Sequence, residues 1–152
     1  MKKISILITL MACLLIATGC RKSVNNSNPA VVQAVALQDA ENTCKTVEDG
    51  LLTANRAIEK LQATEPDYYN HVKPLLRKIS KLNATASGKI ALVASGQSAD
   101  WKSSLIAVSA SVTPSDLTTF GFKNANTQLI VETSFSGLIL ALTSIKTKFG
   151  GA

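Results

Sequence analysis

Residues 37–61 read LQDAENTCKTVEDGLLTANRAIEKL. Leu37, Ala40, Cys44, Val47, Leu51, Ala54, Ile58 and Leu61 recur at spacings that alternate between three and four. Seven residues are close to two turns of an α-helix, so this pattern lines all eight along one face. Asp39, Glu41, Lys45, Glu48, Asp49, Arg56, Glu59 and Lys60 fall between them, as a water-facing side requires. A half-buried strand would alternate every second residue, and this stretch does not. The spacing predicts a helix over residues 30–63. Gly50 inside it costs about 1 kcal/mol relative to Ala, and close packing against a neighbour is the compensation that would explain it.

Downstream, "ATEPDYYN" breaks the pattern. Thr64 has the chemistry of an N-cap, Pro66 stands where a missing N–H costs least, and Asp67 suits the positive first turn. A second helix is expected over residues 66–94, with Tyr68, Val72, Leu75, Ile79, Leu82, Ala86, Ile90 and Val93 on its apolar face. Pro74 predicts a kink inside it; the competing reading starts the helix near Lys73. The short connection favours an antiparallel hairpin. Its expected register pairs Leu61 with Tyr68, Ile58 with Val72, Leu51 with Ile79 and Cys44 with Ala86.

A third helix is expected over residues 99–112, carrying Trp101, Leu105, Val108 and Val112. Thr113-Pro114-Ser115-Asp116 then reads as a capping signature that opens a short helical turn. A fourth helix is expected over residues 125–148, with Val131, Phe135, Leu138, Leu142, Ile145 and Phe149 in phase. Its β-formers also allow two strands with a turn at Ser136-Gly137; the unbroken period favours helix. Glu132 and the hydroxyl residues of this segment make it a poor membrane span. The expected fold class is all-α, a small bundle of about four helices.

The first twenty residues are of another kind. Lys2 and Lys3 precede an apolar run from Ile4 to Ala17, followed by small residues and then Arg21 and Lys22. A spanning helix needs about 20 apolar residues, so this is the anatomy of a secretory signal peptide. Ile16-Ala17-Thr18-Gly19-Cys20 resembles the lipobox of bacterial lipoprotein precursors. That resemblance implies that residues 1–19 are removed and that Cys20 is acylated by fatty chains of the palmitate class. It implies a protein held at the bacterial cell envelope through Cys20. Arg21 stands where Asp retains such proteins at the inner membrane of some two-membrane bacteria. The resemblance therefore implies the periplasmic face of an outer membrane where the host has two. Two acyl chains suffice for stable anchoring without a spanning helix. Ala17-Thr18-Gly19 equally satisfies the small-x-small rule of ordinary signal cleavage. In that alternative Cys20 is a free thiol, and a Cys20–Cys44 bridge becomes possible. Residues 20–29, polar after the Cys, read as a tether, and nine extended residues span about 30 Å. Residues 30–152 make a single helical domain.

The chain carries 16 basic and 10 acidic residues, a mild excess that suits a solvated surface and excludes nothing but an acidic protein. Nucleic acid is not an expected partner of an exported chain. The first helix is net acidic and the second net basic. Lys73, Arg77 and Lys81, spaced by four, form a stripe that either steers the second helix onto the first or contacts anionic lipid or an acidic partner. Residues 97–149 are poor in charge and rich in Ser and Thr, which suits an envelope partner or self-association.

No chemistry-bearing motif accompanies these features. His71 is the single His, with Asp67 one turn before it, and no Cys-x-x-Cys or Glu-x-x-His is present. No Gly-x-Ser-x-Gly elbow or glycine-rich phosphate loop occurs. Cys44 occupies a core position and reads as a buried apolar thiol. Glu132 interrupts an apolar segment and is expected to face outward. No cofactor, metal or catalytic residue is expected. The reading is a non-enzymatic, lipid-anchored structural or interaction module; its alternative is an envelope binding protein with a small apolar ligand in the bundle core.

Overall fold

The structure is a computed structural model that describes residues 28–150. Its contacts divide the chain into Met1–Gln33 and Ala34–Ala152. The architecture below is that of the second unit, together with the first turn of the helix that leads into it. The described residues are all-α, with helices α1 (Pro29–Leu61), α2 (Pro66–Ala94), α3 (Trp101–Ala110), α4 (Pro114–Thr118) and α5 (Ala125–Phe149). About four helices were expected, and five are present among the described residues. The fifth is the short turn after Thr113, which closes as a helix of its own.

Helix α1 starts where Pro29 needs no hydrogen-bond partner, and Asn28 Oδ1 accepts from the Ala30 N–H at 3.0 Å. Every member of its predicted stripe is buried except Leu37, which is half-buried. The buried line Ala40, Cys44, Val47, Leu51, Ala54, Ile58, Leu61 keeps the strict seven-residue period.

Helix α2 begins at Pro66, as expected, and passes through Pro74 without ending, so a start near Lys73 is not adopted. The N-cap is Glu65 and not Thr64, and its side chain makes no capping bond. Its buried line differs from the expected one. Tyr68, Val72, Leu76, Ile79, Asn83, Ala86 and Ile90 are buried, while Leu75 and Leu82 are half-buried beside them. From Val72 to Ile90 the buried line still alternates four and three, but the inner face is rotated about the helix axis, so that Leu76 and Asn83 turn inward in place of Leu75 and Leu82. One consequence is a polar residue in the core. Asn83, 1% exposed, donates through Nδ2 to the Cys44 carbonyl at 3.0 Å.

Helix α3 is shorter than the expected 99–112. Asp100 caps it by accepting from the Ser103 N–H at 3.1 Å, and Val112 is buried just beyond its end. Helix α4 opens on a complete capping box. Thr113 Oγ1 accepts from the Asp116 N–H at 3.2 Å, and Asp116 Oδ2 accepts from the Thr113 N–H at 2.7 Å. Helix α5 runs unbroken through Ser136-Gly137, so the two-strand alternative is not adopted.

Val131, Phe135, Leu138 and Ile145 are fully buried and join the inner residues of the other helices in one hydrophobic core. Each such side chain contributes about 1.5–3 kcal/mol by leaving water. Gly50 has its explanation here. A Cβ built on it would lie 2.8 Å from Leu138 Cα, so α1 and α5 meet backbone to backbone.

Candidate functional site

The basic stripe on α2 is the feature with the most chemistry. Four-residue spacing sets Lys73, Arg77 and Lys81 one above another along the helix. The three are not equivalent. Lys73 is half-buried; its ammonium pairs with Glu59 of α1 and lies 5.4 Å from the centre of the Tyr69 ring. The hydrogen bond to Glu59 holds the Lys73 ammonium above its ordinary pKa. Arg77 and Lys81 are exposed. Lys78, outside the predicted stripe, donates to the Ser111 carbonyl at 2.9 Å and ties α2 to the end of α3. Part of α2's positive charge therefore joins helices, and Arg77 and Lys81 form the outward-facing part.

Next along α2 lies an aromatic cluster that the sequence did not single out. Tyr68 is buried, and its hydroxyl donates to the Leu117 carbonyl at 2.6 Å. Phe120 and Phe122 pack edge-on against its ring at 5.4 and 4.8 Å. Burial pushes the Tyr68 phenol well above its usual range. His71 stacks on Phe120 at 6.0 Å, with Nε2 3.2 Å from the Asp116 carbonyl oxygen. His71 is exposed and is turned toward the α4 segment, away from Asp67 one turn before it. Asp116 holds its carboxyl below the ordinary range mainly because it accepts from the Thr113 N–H. Aromatic spacing in "TTFGFKN" was the one available signal for this cluster.

The other candidates are engaged structurally. Cys44 is 2% exposed, and burial pushes its thiol up to about 11, assisted by Glu48 and Glu41. A thiol so raised is a poor nucleophile at neutral pH. Glu132 faces outward and accepts from Gln128 Nε2 at 2.9 Å. Among the described residues, no group of three His, Cys, Asp or Glu side chains converges as a metal site would require. Cys20 and its flanking sequence lie outside the described residues.

An open groove of about 500 Å³ lies between α3 and the end of α5. Ile106, Val112, Pro114 and Leu142 supply its apolar walls, and Lys146 stands among its lining residues. Neither a family model, nor a curated protein, nor a solved structure matches this chain.

Proposed function

We propose that this protein is a lipid-anchored component of the bacterial cell envelope, a non-enzymatic helical module that works by contact. The observation that carries the reading is the run Ile16-Ala17-Thr18-Gly19-Cys20 behind a short apolar segment. Acyl chains on Cys20 hold the protein at the membrane, and the residues up to Pro29 act as a tether. Within the domain, α1 and α2 form a long antiparallel hairpin that is the frame of the bundle. Two contacts support this. Glu59 meets Lys73 near the connection, and Cys44 meets Asn83 farther from it. Residues increasingly distant from the turn on one helix thus face residues increasingly distant on the other.

The non-enzymatic part is supported by the fate of the reactive side chains. Cys44 is a buried high-pKa thiol, His71 is turned toward a backbone carbonyl, and Glu132 is bonded to Gln128. Arg77 and Lys81 give the module a basic face for anionic head groups or an acidic partner.

Intact-mass measurement of membrane-extracted protein tests the anchor. A chain starting at Cys20 with added acyl mass is expected, and Cys20→Ala is expected to release the domain from the membrane fraction. An unmodified chain starting at Cys20 sinks the reading.

A second reading, a carrier of a small apolar ligand, is favoured by the groove near Leu142 and not by the bundle core, where the inner positions are filled. An amphiphile held there would raise the melting temperature in proportion to the logarithm of its concentration.

A further inference from the structure

The outer face of α5 breaks the rule that the outer face of α1 obeys. Glu132 is its single acid, and no base appears before Lys146. Leu129 is 63% exposed, Ile130 50% and Leu140 69%. By length and composition α5 is apolar enough to cross a membrane, yet only 33% of its most apolar stretch is buried. The remaining apolar surface is left facing outward.

Three of the hydroxyl residues on this face direct their hydrogen bonds to their own helix. Ser136 donates to the Thr133 carbonyl at 2.8 Å, Thr143 to Ile139 at 2.9 Å and Thr147 to Thr143 at 3.1 Å. These three hydroxyls are turned back onto their own helix, which lowers the polarity of the outward surface.

The order of residues then identifies what fits. Leu129, Thr133, Ser136 and Leu140 are spaced four, three, four, and their sizes run large, small, small, large. Both sequences read the same in either direction. A two-fold axis between Thr133 and Ser136 therefore sets Leu140 of one copy on Leu129 of the other, and Thr133 on Ser136. Self-complementarity of this kind is what an isologous interface requires. Gly137 adds open space beside the contact, since a Cβ there would meet nothing within 4 Å. Anionic lipid is a poorer occupant, because the nearest bases, Lys123 and Lys146, lie toward the ends of this surface. Crossing a membrane is excluded by the opposite face, where Val131, Phe135, Leu138 and Ile145 are fully buried in the core.

We infer that the α5 face is where two copies of this chain meet, antiparallel, through Leu129, Thr133, Ser136 and Leu140. This deepens the interaction-module reading and rests on it. Leu129 and Leu140 are about 16 Å apart along the helix, so one helix face falls short of the roughly 800 Å² per partner of a standard interface. The pairing is weak in dilute solution and is favoured where copies are confined together on a membrane.

The test is crosslinking of the full chain in intact cells. Thr133→Cys and Ser136→Cys are co-expressed on differently tagged copies and treated with a short bismaleimide. They are expected to crosslink at least ten-fold more than Thr143→Cys with itself, which the two-fold sets about 25 Å apart, or than exposed Ser80→Cys with itself. Adding Leu140→Lys is expected to abolish the crosslink without lowering helicity or melting temperature. Equal yields at all positions, or a crosslink that survives Leu140→Lys, overturns the inference. So does a Thr143→Cys chain that is shielded from a membrane-impermeant maleimide while Thr133→Cys and Ser136→Cys fail to crosslink, which means lipid covers the face. The mass of Cys20 is read on the same samples. An acylated chain without the crosslink defeats this inference alone, and an unacylated chain with it defeats only the anchor.

Discussion

Gly50 of α1 faces the backbone of Leu138 in α5 so closely that a methyl group has nowhere to go. Its ideal Cβ would sit 2.8 Å from Leu138 Cα and 2.9 Å from Leu138 N. Neither is the free end of a flexible side chain, so the helices themselves must separate to admit it. Gly50→Ala gains about 1 kcal/mol of helix propensity against an overpacking cost of about 1–3 kcal/mol. A net destabilisation of about 1 kcal/mol or more in urea unfolding is expected. A variant more stable than the parent would mean that the two backbones part without cost.

Asn83 is a polar interruption in the α2 seam. Its Nδ2 is bonded to the Cys44 carbonyl, while its Oδ1 is buried with no partner. A buried acceptor left unsatisfied costs about 1–3 kcal/mol. Asn83→Leu is therefore expected to raise stability by about 1 kcal/mol, measured by thermal and urea unfolding. Asn83→Asp, which buries a carboxylate in the same place, is expected to lower it by several kcal/mol near neutral pH. Loss of stability in the Leu variant would show that Oδ1 is satisfied after all.

Cys44 gives a prediction about alkali. Its thiol is raised from 9.0 to about 11 in the folded chain. The folded state thus holds the proton more tightly than the unfolded state. The resulting stability is present in full below about pH 9 and is lost as pH rises from about 9 through 11. Two units correspond to about 3 kcal/mol. Tyr68 is raised as well and extends the loss in the same direction. Unfolding free energy is expected to fall over this interval in the parent and to fall less steeply in Cys44→Ala. Identical slopes would sink the assignment. The folded thiol is likewise expected to resist an aromatic disulfide reagent at pH 8 until the chain is unfolded.

On the basic face, the three stripe residues should separate. Arg77 and Lys81 are free to meet an anionic surface, whereas Lys73 is engaged by Glu59 and the Tyr69 ring. If the face binds lipid, Arg77→Gln and Lys81→Gln should each weaken binding of the Cys20→Ala chain to anionic vesicles by about 1 kcal/mol, the usual worth of a base near the surface. Lys73→Gln should weaken it less. Equal losses at all three positions would contradict the geometry, and no binding by the parent would dismiss lipid as the partner.

How much of this was legible in the sequence depended on whether hydrophobicity alone fixes the face that each helix turns to the core. The inner line of α1 keeps the seven-residue repeat, so its core residues could be named in advance. Helix α2 keeps the same alternation from Val72 to Ile90, but its inner face is turned so that Leu76 and Asn83 lie inward in place of Leu75 and Leu82. Leu75 and Leu76 are equally apolar, so no pattern of hydrophobicity separates them. At Asn83 the pattern pointed the wrong way, because Leu82 is the apolar neighbour; backbone geometry and a bond to the Cys44 carbonyl decide. The α5 helix was legible because its period runs through Ser136-Gly137. Contacts between distant segments were not: the Glu59–Lys73 pair, the Tyr68 hydroxyl on Leu117 and the turning of His71 toward α4 follow from how the helices come together.

Trp101 is the only tryptophan in the chain, 8% exposed at the start of α3, and its indole packs edge-on against Phe149 with ring centres 5.7 Å apart. The molecule thus carries a single built-in fluorophore at the place where its third and last helices meet. Its emission is blue-shifted while that corner is closed and moves red when water enters. Fraying of the final turn of α5 is then visible optically, separately from the far-ultraviolet signal that the two longest helices dominate.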